Sequence, residues 1–263
     1  MTIKIGTAGW SIPREISSEF ASEGSALERY ASHFDVAEIN SSFHRPHRIA
    51  TWERWRDSVP PNFRFSVKLP KTVTHQAKLV DCGPLLDAFI PQASTLADKL
   101  TVLLVQLPPK LELDPAAASI FFKDLRNRTP VALACEPRNA SWFTDGADAL
   151  LQELGVARVA ADPAICAAAA RPGGCPALAY WRLHGSPVVY RSSYSDRIDA
   201  IADALADQAP AARERWCIFD NTASSAGAGD ALALNSAIER RGLAICPNMR
   251  NISFWEPDSA RAH

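Results

Sequence analysis

The sequence has almost no net charge, and it lacks the short motifs that mark several common enzyme classes. Its 28 lysines and arginines are balanced by 29 acidic residues, so no strong overall field attracts nucleic acid or an anionic membrane. No Gly-x-Gly-x-x-Gly follows a strand-like run, and neither Gly-x-Ser-x-Gly nor His-Glu-x-x-His occurs. These absences argue against a dinucleotide-binding fold, a serine hydrolase of the elbow type and a zinc peptidase.

Long apolar runs and closely spaced cysteines are missing as well. No apolar run approaches the ~20 residues that span a bilayer, and the first six residues lack a basic region followed by an apolar stretch. The six cysteines are far apart and include no Cys-x-x-Cys pair, which argues against a zinc or redox site. We therefore expect a cytoplasmic protein with reduced thiols and no membrane association.

Eight short apolar runs recur along the chain, and helical patterns separate most of them. Continuous apolar runs are typical of parallel strands, because both faces of such strands are buried. Alternation of strand and helix predicts right-handed crossovers in one parallel sheet. The eight predicted strands are Ile3–Thr7, Val36–Ile39, Phe63–Leu69, Thr101–Leu107, Val131–Glu136, Ala157–Asp162, Ala179–His184 and Trp216–Asp220.

Eight strands in 263 residues favour a closed (β/α)8 TIM-like barrel, which needs about 250 residues, over an open doubly wound sheet. We predict a single domain over residues 1–263, with a C-terminal tail from about Leu243. Proline and glycine are frequent between Asp162 and the seventh strand, so the sixth unit is expected to have a short or absent helix.

Polar side chains come late in these apolar strands. Because side chains alternate along a strand, Glu38 and Asn40 share one face, as do Arg182 and His184. The carboxyl ends of barrel strands meet at one rim, where barrel enzymes have their active sites. The candidate site residues at or after these ends are Thr7, Trp10, Glu38, Asn40, Lys68, His75, Gln106, Glu136, Arg138, Trp142, Arg182, His184, Tyr194 and Asn221. Structural ion pairs inside the barrel, such as Glu136 with Arg182, are the alternative interpretation.

A local excess of positive charge lies between His44 and Lys78. This segment has eight lysines or arginines and two acids, which gives it a charge of +6. It is either a solvated helix face or a patch that attracts an anionic ligand.

Several blocks of the sequence resemble those of the YecE-like family, a domain family of unknown function. The blocks include Gly6-Thr-Ala-Gly-Trp-Ser11, Glu38-Ile-Asn-Ser-Ser-Phe43, Phe63-Arg-Phe-Ser-Val-Lys-Leu-Pro70, Glu136-Pro-Arg138, Arg182-Leu-His-Gly185 and Phe219-Asp-Asn-Thr222. They occur in order over most of the chain. The resemblance implies a TIM-barrel-like fold but supplies no reaction.

The leading functional hypothesis is an enzyme that acts on a small anionic substrate, a phosphate ester or a carboxylate. Lys68 and Arg182 would hold the anion, Glu136 would be the general base and His184 the general acid or electrophile. Glu38 completes the expected catalytic set, and three aromatic residues that follow strand ends, Trp10, Trp142 and Tyr194, would form the pocket wall.

The same residues are compatible with other functions. A divalent metal held by Glu38, Glu136, Asp162, His184 and Asp220 would give a phosphoester hydrolase or a sugar isomerase, although we predict no bound cofactor. Lys68 could form a Schiff base. A non-catalytic module that binds a metabolite would use similar contacts. We expect a small anionic molecule as the partner. Nucleic acid is the less favoured alternative, in which a nuclease would use the basic segment from Arg45 to Lys78 to bind phosphates.

Overall fold

The strands form a nearly closed barrel, as the sequence predicts. The computed structural model describes residues 2–207 and 214–243, and within these ranges ten strands join in the order β7-β9-β10-β1-β2-β3-β4-β5-β6-β8. Every pairing is parallel except β6 with β8. The strands are β1 Thr2–Ala8, β2 Val36–Ile39, β3 Arg64–Lys68, β4 Leu100–Gln106, β5 Ala132–Glu136, β6 Val156–Arg158, β7 Ala160–Asp162, β8 Gly173–Gly174, β9 Leu178–Leu183 and β10 Glu214–Phe219.

The sixth unit is the irregular part of the barrel. Its predicted continuous strand is broken at Val159, so that β6 pairs with β5 while β7 pairs with β9. Because one residue separates the two pieces, they bring the ends of the sheet together. A 3-10 turn at Ala167–Ala170 stands where the other units have an α-helix, which confirms the expectation of a short or absent helix.

Seven α-helices surround the sheet in the part of the chain that the structure describes. Asp114 caps α4 (Pro115–Arg128) by accepting hydrogen bonds from two backbone amides, with Pro115 at the first helical position. The helical spacing of Leu86, Ile90, Ala93 and Ala97 predicts a helix through Ala97, but α3 (Gly83–Ala93) stops at Ala93 and a 3-10 turn follows. The helices are α1 Ala26–Ala31, α2 Ile49–Asp57, α3 Gly83–Ala93, α4 Pro115–Arg128, α5 Asp145–Glu153, α6 Ile198–Ala206 and α7 Ala226–Arg240.

Alternate residues of each strand face two different layers. One set packs against the helices, as Phe65 and Val67 do, and belongs to the larger apolar cluster. The other set fills the barrel interior, where Val102, Leu104 and Trp216 are buried. In β2, β3, β4, β5, β9 and β10 the interior set continues to a polar residue near the carboxyl end, so these residues lie inside the barrel mouth.

The remaining predictions concern the C-terminal tail, the cysteines and membrane association. The predicted tail starts at about Leu243, and Leu243 is the last residue that the structure describes. Phe254 and Trp255 of this tail lie outside the described residues. The five cysteines among the described residues are free thiols. No helix in residues 2–207 and 214–243 has the length and apolar character needed to cross a membrane.

A buried tyrosine joins β1 to β2 beside the candidate site. Tyr30 of α1 is completely buried, and its hydroxyl accepts from the Thr7 amide at 2.8 Å and donates to the Val36 carbonyl at 3.0 Å. Tyr30→Phe removes both of these buried hydrogen bonds, so we expect it to lower the free energy of unfolding by about 1–3 kcal/mol. Urea denaturation measures this loss. The same change at the exposed Tyr190 is the control, and an equal loss there would contradict the assignment.

Candidate functional site

A buried arginine joins three carboxylates at the carboxyl ends of the strands. Arg182 has no exposed surface. Its Nε and Nη2 donate to the two oxygens of Glu38 at 3.0 and 2.7 Å, and Nη1 donates to Glu136 at 2.6 Å. Nη2 also donates to Asp220 at 3.0 Å. The four residues come from β9, β2, β5 and the end of β10, so the barrel closure brings them together.

The floor of this cluster is a buried tyrosine two residues before the arginine. The hydroxyl of Tyr180 lies 3.0 Å from an oxygen of Glu38 and 3.0 Å from the hydroxyl of Ser66. A carboxylate can only accept, so Tyr180 donates to Glu38 and accepts from Ser66. Burial, together with the charge of Glu38, raises the pKa of Tyr180 well above its ordinary value. Tyr180 therefore stays neutral and holds Glu38 in place.

The candidate histidine lies between two carboxylates. His184 is buried, with Nδ1 3.0 Å from Asp220 and Nε2 2.9 Å from Glu136. Because carboxylates only accept, both ring nitrogens carry a hydrogen and the ring is an imidazolium. Burial opposes this charge, but Glu136 and Asp220 outweigh it, and the pKa of His184 is raised. Both N–H groups are occupied, which leaves no free one for a substrate.

The predicted general base has all of its hydrogen-bonding capacity in use. One oxygen of Glu136 accepts from Arg182, and the other accepts from His184 and from Nε and Nη2 of Arg138 at 3.1 and 2.9 Å. Burial opposes ionisation of Glu136, but Arg182, His184 and Arg138 outweigh it and hold its pKa well below the ordinary value. A carboxylate held so firmly in its charged form is a weak proton acceptor.

The candidate lysine differs from its charged neighbours because no carboxylate pairs with it. Among the residues that the structure describes, Lys68 Nζ makes no ion pair; it lies 4.2 Å from the centre of the Phe43 ring. Lys68 is only 6% exposed. Burial, with the nearby charge of Arg182, lowers the pKa of Lys68 to about 8, against the opposing effect of the three carboxylates. Its amine is therefore partly neutral near physiological pH.

A cavity of about 240 Å³ opens above Glu136 and His184. Arg138 lies at its edge, with 24% of its side chain exposed. The remaining wall is apolar and includes Ile165 and Val189, two of the large apolar side chains that the structure leaves exposed. The polar end of this cavity faces the carboxylate cluster, which suits a small molecule with a polar reacting end.

Three candidate residues lie on the outer side of the barrel. Thr7 bonds Tyr30 and the carbonyl two residues later, so its side chain faces the helices. Trp10 packs edge-on against Trp55 of α2 at a centroid distance of 5.2 Å. Trp142 is buried in the helix layer and donates its indole N–H to a loop carbonyl. These three residues are not brought together with the carboxylate cluster.

Two further candidates support the loop after β9. Tyr194 donates to Asp162 at 2.9 Å and accepts from the Gly185 amide at 2.9 Å. Asn221 donates to Asp230 of α7 at 2.7 Å and is completely buried. Both residues hold the chain that follows His184, and neither contacts the cluster directly.

The remaining candidates lie beside the cluster. His75 packs edge-on against Phe43 at 4.9 Å, and burial with the charges of Lys68 and Arg138 lowers its pKa. Gln106 pairs with Glu136 in the backbone register and is buried. Asn40 has a buried side-chain oxygen without a hydrogen-bond partner in the described residues.

Sequence reasoning missed several members of the cluster. The sequence suggests Asp220 only as a metal ligand, yet this residue bonds both Arg182 and His184. Tyr180 is absent from the candidate set, although it shares the inner face of β9 with Arg182 and strand alternation places it there. Phe43 belongs to a turn, and no periodic signal indicates its contact with Lys68.

The carboxylates expected as metal ligands are paired with arginines. Within residues 2–207 and 214–243 no three His, Cys, Asp or Glu side chains are grouped to hold a metal ion. Arg182 occupies the position between Glu38, Glu136 and Asp220 where a cation would lie. The fifth expected ligand, Asp162, is paired with Arg197 elsewhere.

Replacement of Arg182 tests how much the stability of the carboxylate cluster depends on its central positive charge. Arg182→Met leaves three buried carboxylates without their shared partner, so we expect the free energy of unfolding to fall by about 3–5 kcal/mol. Arg197→Met is the matched control, because Arg197 pairs with Asp162 while 41% of its side chain is exposed, and about 0–1 kcal/mol is expected there. Urea denaturation of both variants measures the difference. Similar losses would show that Arg182 is not the central cation.

The charge of His184 can be observed directly. We expect both ring nitrogens to carry hydrogen at pH 7 in a long-range ¹H–¹⁵N spectrum, while His75 in the same spectrum is neutral, since its pKa is lowered. A raised folded pKa stabilises the protein fully below the ordinary value of 6.5, and this contribution is lost as the pH rises through the folded pKa. The His184→Gln variant should lack that part of the pH dependence. A neutral His184 ring at pH 6 would refute the assignment.

Comparison with known proteins identifies a family match over most of the chain. Residues 4–251 match the family profile described as protein of unknown function DUF72. The chain is 35% identical to the protein YecE of Escherichia coli over 106 residues, which is 40% of this chain and 38% of YecE. The aligned part is therefore about two fifths of the length of that relative.

Two crystal structures are similar to the barrel as a whole. A DUF72 family protein of Enterococcus faecalis aligns with a TM-score of 0.75 at 20% identity, covering 90% of this chain and 96% of the other. A DUF72 family protein of Thermotoga maritima aligns with a TM-score of 0.74 at 20% identity, covering 91% of this chain and 100% of the other. At these identities the similarity shows the fold alone.

Proposed function

This chain belongs to the DUF72 family of proteins of unknown function, and we propose that it is an enzyme acting on a small anionic substrate by acid/base chemistry at the carboxyl ends of the strands. One observation carries the proposal. Lys68 lies beside the carboxylate cluster as an amine without an ion-pair partner in the described part of the chain, with a pKa of about 8. Such a group can release or accept a proton near neutral pH.

The charges of the cluster support an anionic substrate. With His184 protonated, the three carboxylates Glu38, Glu136 and Asp220 carry −3, and Arg182, His184 and Arg138 carry +3, so these six groups sum to zero. Protonated Lys68 adds one uncompensated positive charge. A bound monoanion would neutralise it, and the low-dielectric surroundings would strengthen the attraction.

The proposal gives the residues different roles from those expected at first. Lys68 transfers the proton instead of Glu136, because the carboxylate of Glu136 is occupied by Arg182, His184 and Arg138. Arg138 is the second contact for the anion, since Arg182 is completely buried and already bonded to carboxylates. The carboxylate cluster then acts as a fixed electrostatic environment that does not need to reorganise during the reaction.

Two substitutions of Lys68 separate proton transfer from binding. A thermal-shift screen of phosphorylated and carboxylated metabolites first identifies a stabilising compound, and mass spectrometry follows its conversion. We expect Lys68→Arg to keep anion binding, because arginine stays charged, but to lose turnover by about 10²–10⁴-fold. Lys68→Met should lose both properties. In the wild type kcat should rise as the pH passes about 8 and the amine becomes neutral, while the affinity for the anion should fall because the uncompensated charge is lost.

The alternative outcomes are distinct. Full turnover by Lys68→Arg would contradict proton transfer by Lys68. A compound that binds the wild type but is recovered unchanged would favour the non-catalytic binding module instead. If no compound in either class stabilises the protein, the small-anion proposal itself is wrong.

A further inference from the structure

A second cavity lies outside the barrel, between the loops that follow β2 and β3 and helix α3. Its volume is about 230 Å³, and it opens to solvent on one side. None of Glu38, Glu136, Arg182 and His184 contributes to its lining. Most of the wall is apolar, and it is formed by Phe43, Pro46, Pro70, Leu85, Ala88 and Phe89.

The mouth of this cavity is positively charged. Arg45 and Lys71 line it, and both are exposed. Neither forms a salt bridge with an acidic side chain within the two described ranges, in contrast to Arg56 of the same basic segment, which pairs with Asp57. Unpaired surface cations are common and have no meaning alone. Here they border an apolar cavity, so the two features together define a binding site with a charged entrance and an apolar interior.

The size of the cavity sets the class of ligand. An apolar protein cavity of roughly 150 Å³ holds a benzene molecule, so the present volume has space for one aromatic ring and a short chain. The positive mouth favours an anionic head group on that chain. We propose that this cavity binds a small amphipathic anion, with its aryl or short alkyl group against Phe43, Leu85 and Phe89 and its carboxylate at Arg45 and Lys71.

The site is separate from the proposed active site but adjacent to it. The Phe43 ring forms part of the cavity wall and also contacts Lys68 Nζ at 4.2 Å. Ser42, the neighbouring lining residue, donates a hydrogen bond to the Lys68 carbonyl at 2.6 Å. A ligand against Phe43 would therefore lie one side chain away from the amine. The binding itself does not depend on the function proposed for Lys68.

The test compares one anion with its uncharged analogue on the full chain. The probes are 3-phenylpropionate and 3-phenylpropanol, and calorimetry measures the affinity of each. Nuclear Overhauser effects from the probe ring to the methyl groups of Leu85 and Ala88 show where the probe binds. We expect the wild type to bind the anion more tightly than the alcohol. The double variant Arg45→Glu, Lys71→Glu should weaken binding of the anion by about tenfold while binding of the alcohol changes little.

Two controls make the result specific. Lys123→Glu makes the same kind of charge reversal at an exposed position of α4, away from the cavity, and should leave both affinities unchanged. Lys68→Met should also still bind the anion, so a failure of the proposed catalysis is distinguishable from a failure of this site. The proposal is overturned if 3-phenylpropionate does not bind, if it binds the double variant equally well, or if its contacts lie at Arg138 and His184.

Discussion

The guanidinium of Arg182 lies without solvent contact among carboxylates from three other strand ends. Transfer of each ion from water into the protein interior costs several kcal/mol, and only close pairing with opposite charges offsets that cost. A shift of β9 by one residue would turn Arg182 toward the apolar helix layer and leave the carboxylates unpaired. The charge cluster and the strand register therefore depend on each other.

This constraint also decides which groups remain available for chemistry. Arg182 and His184 use their N–H groups on carboxylates, and Glu136 accepts from three different side chains. Side chains fixed in this way provide a preorganised field but exchange protons poorly. Lys68 forms no ion pair in the described part of the chain, and Arg138, although bonded to Glu136, keeps 24% of its side chain exposed. The residues that stabilise the barrel mouth are thus different from Lys68 and Arg138, the two to which the proposed function assigns substrate contact.

The loops around the cluster are held by a second set of polar contacts. Tyr194 bonds Asp162 and the Gly185 amide, while Asn221 bonds Asp230 of α7. These contacts fix the start of the loop whose Tyr190 ring meets His184 edge-on at 5.8 Å. Tyr194 and Asn221, which follow strand ends in the sequence, thus determine the shape of the loop.

The sequence by itself determined the strand and helix order, because apolar periodicity and turn residues are local properties. Alternation also predicted that Glu38, Glu136, Arg182 and His184 share the barrel interior, and the ion pair of Glu136 with Arg182 was one of the two interpretations. What the tertiary structure alone decided is which hydrogen bonds those groups make. Residues more than a hundred positions apart, such as Glu38 and Arg182, meet only when the barrel closes. Three further features depend on distances between side chains, which no local pattern contains. They are the lack of an ion pair at Lys68 among the described residues, its contact with Phe43 and the outward direction of Thr7.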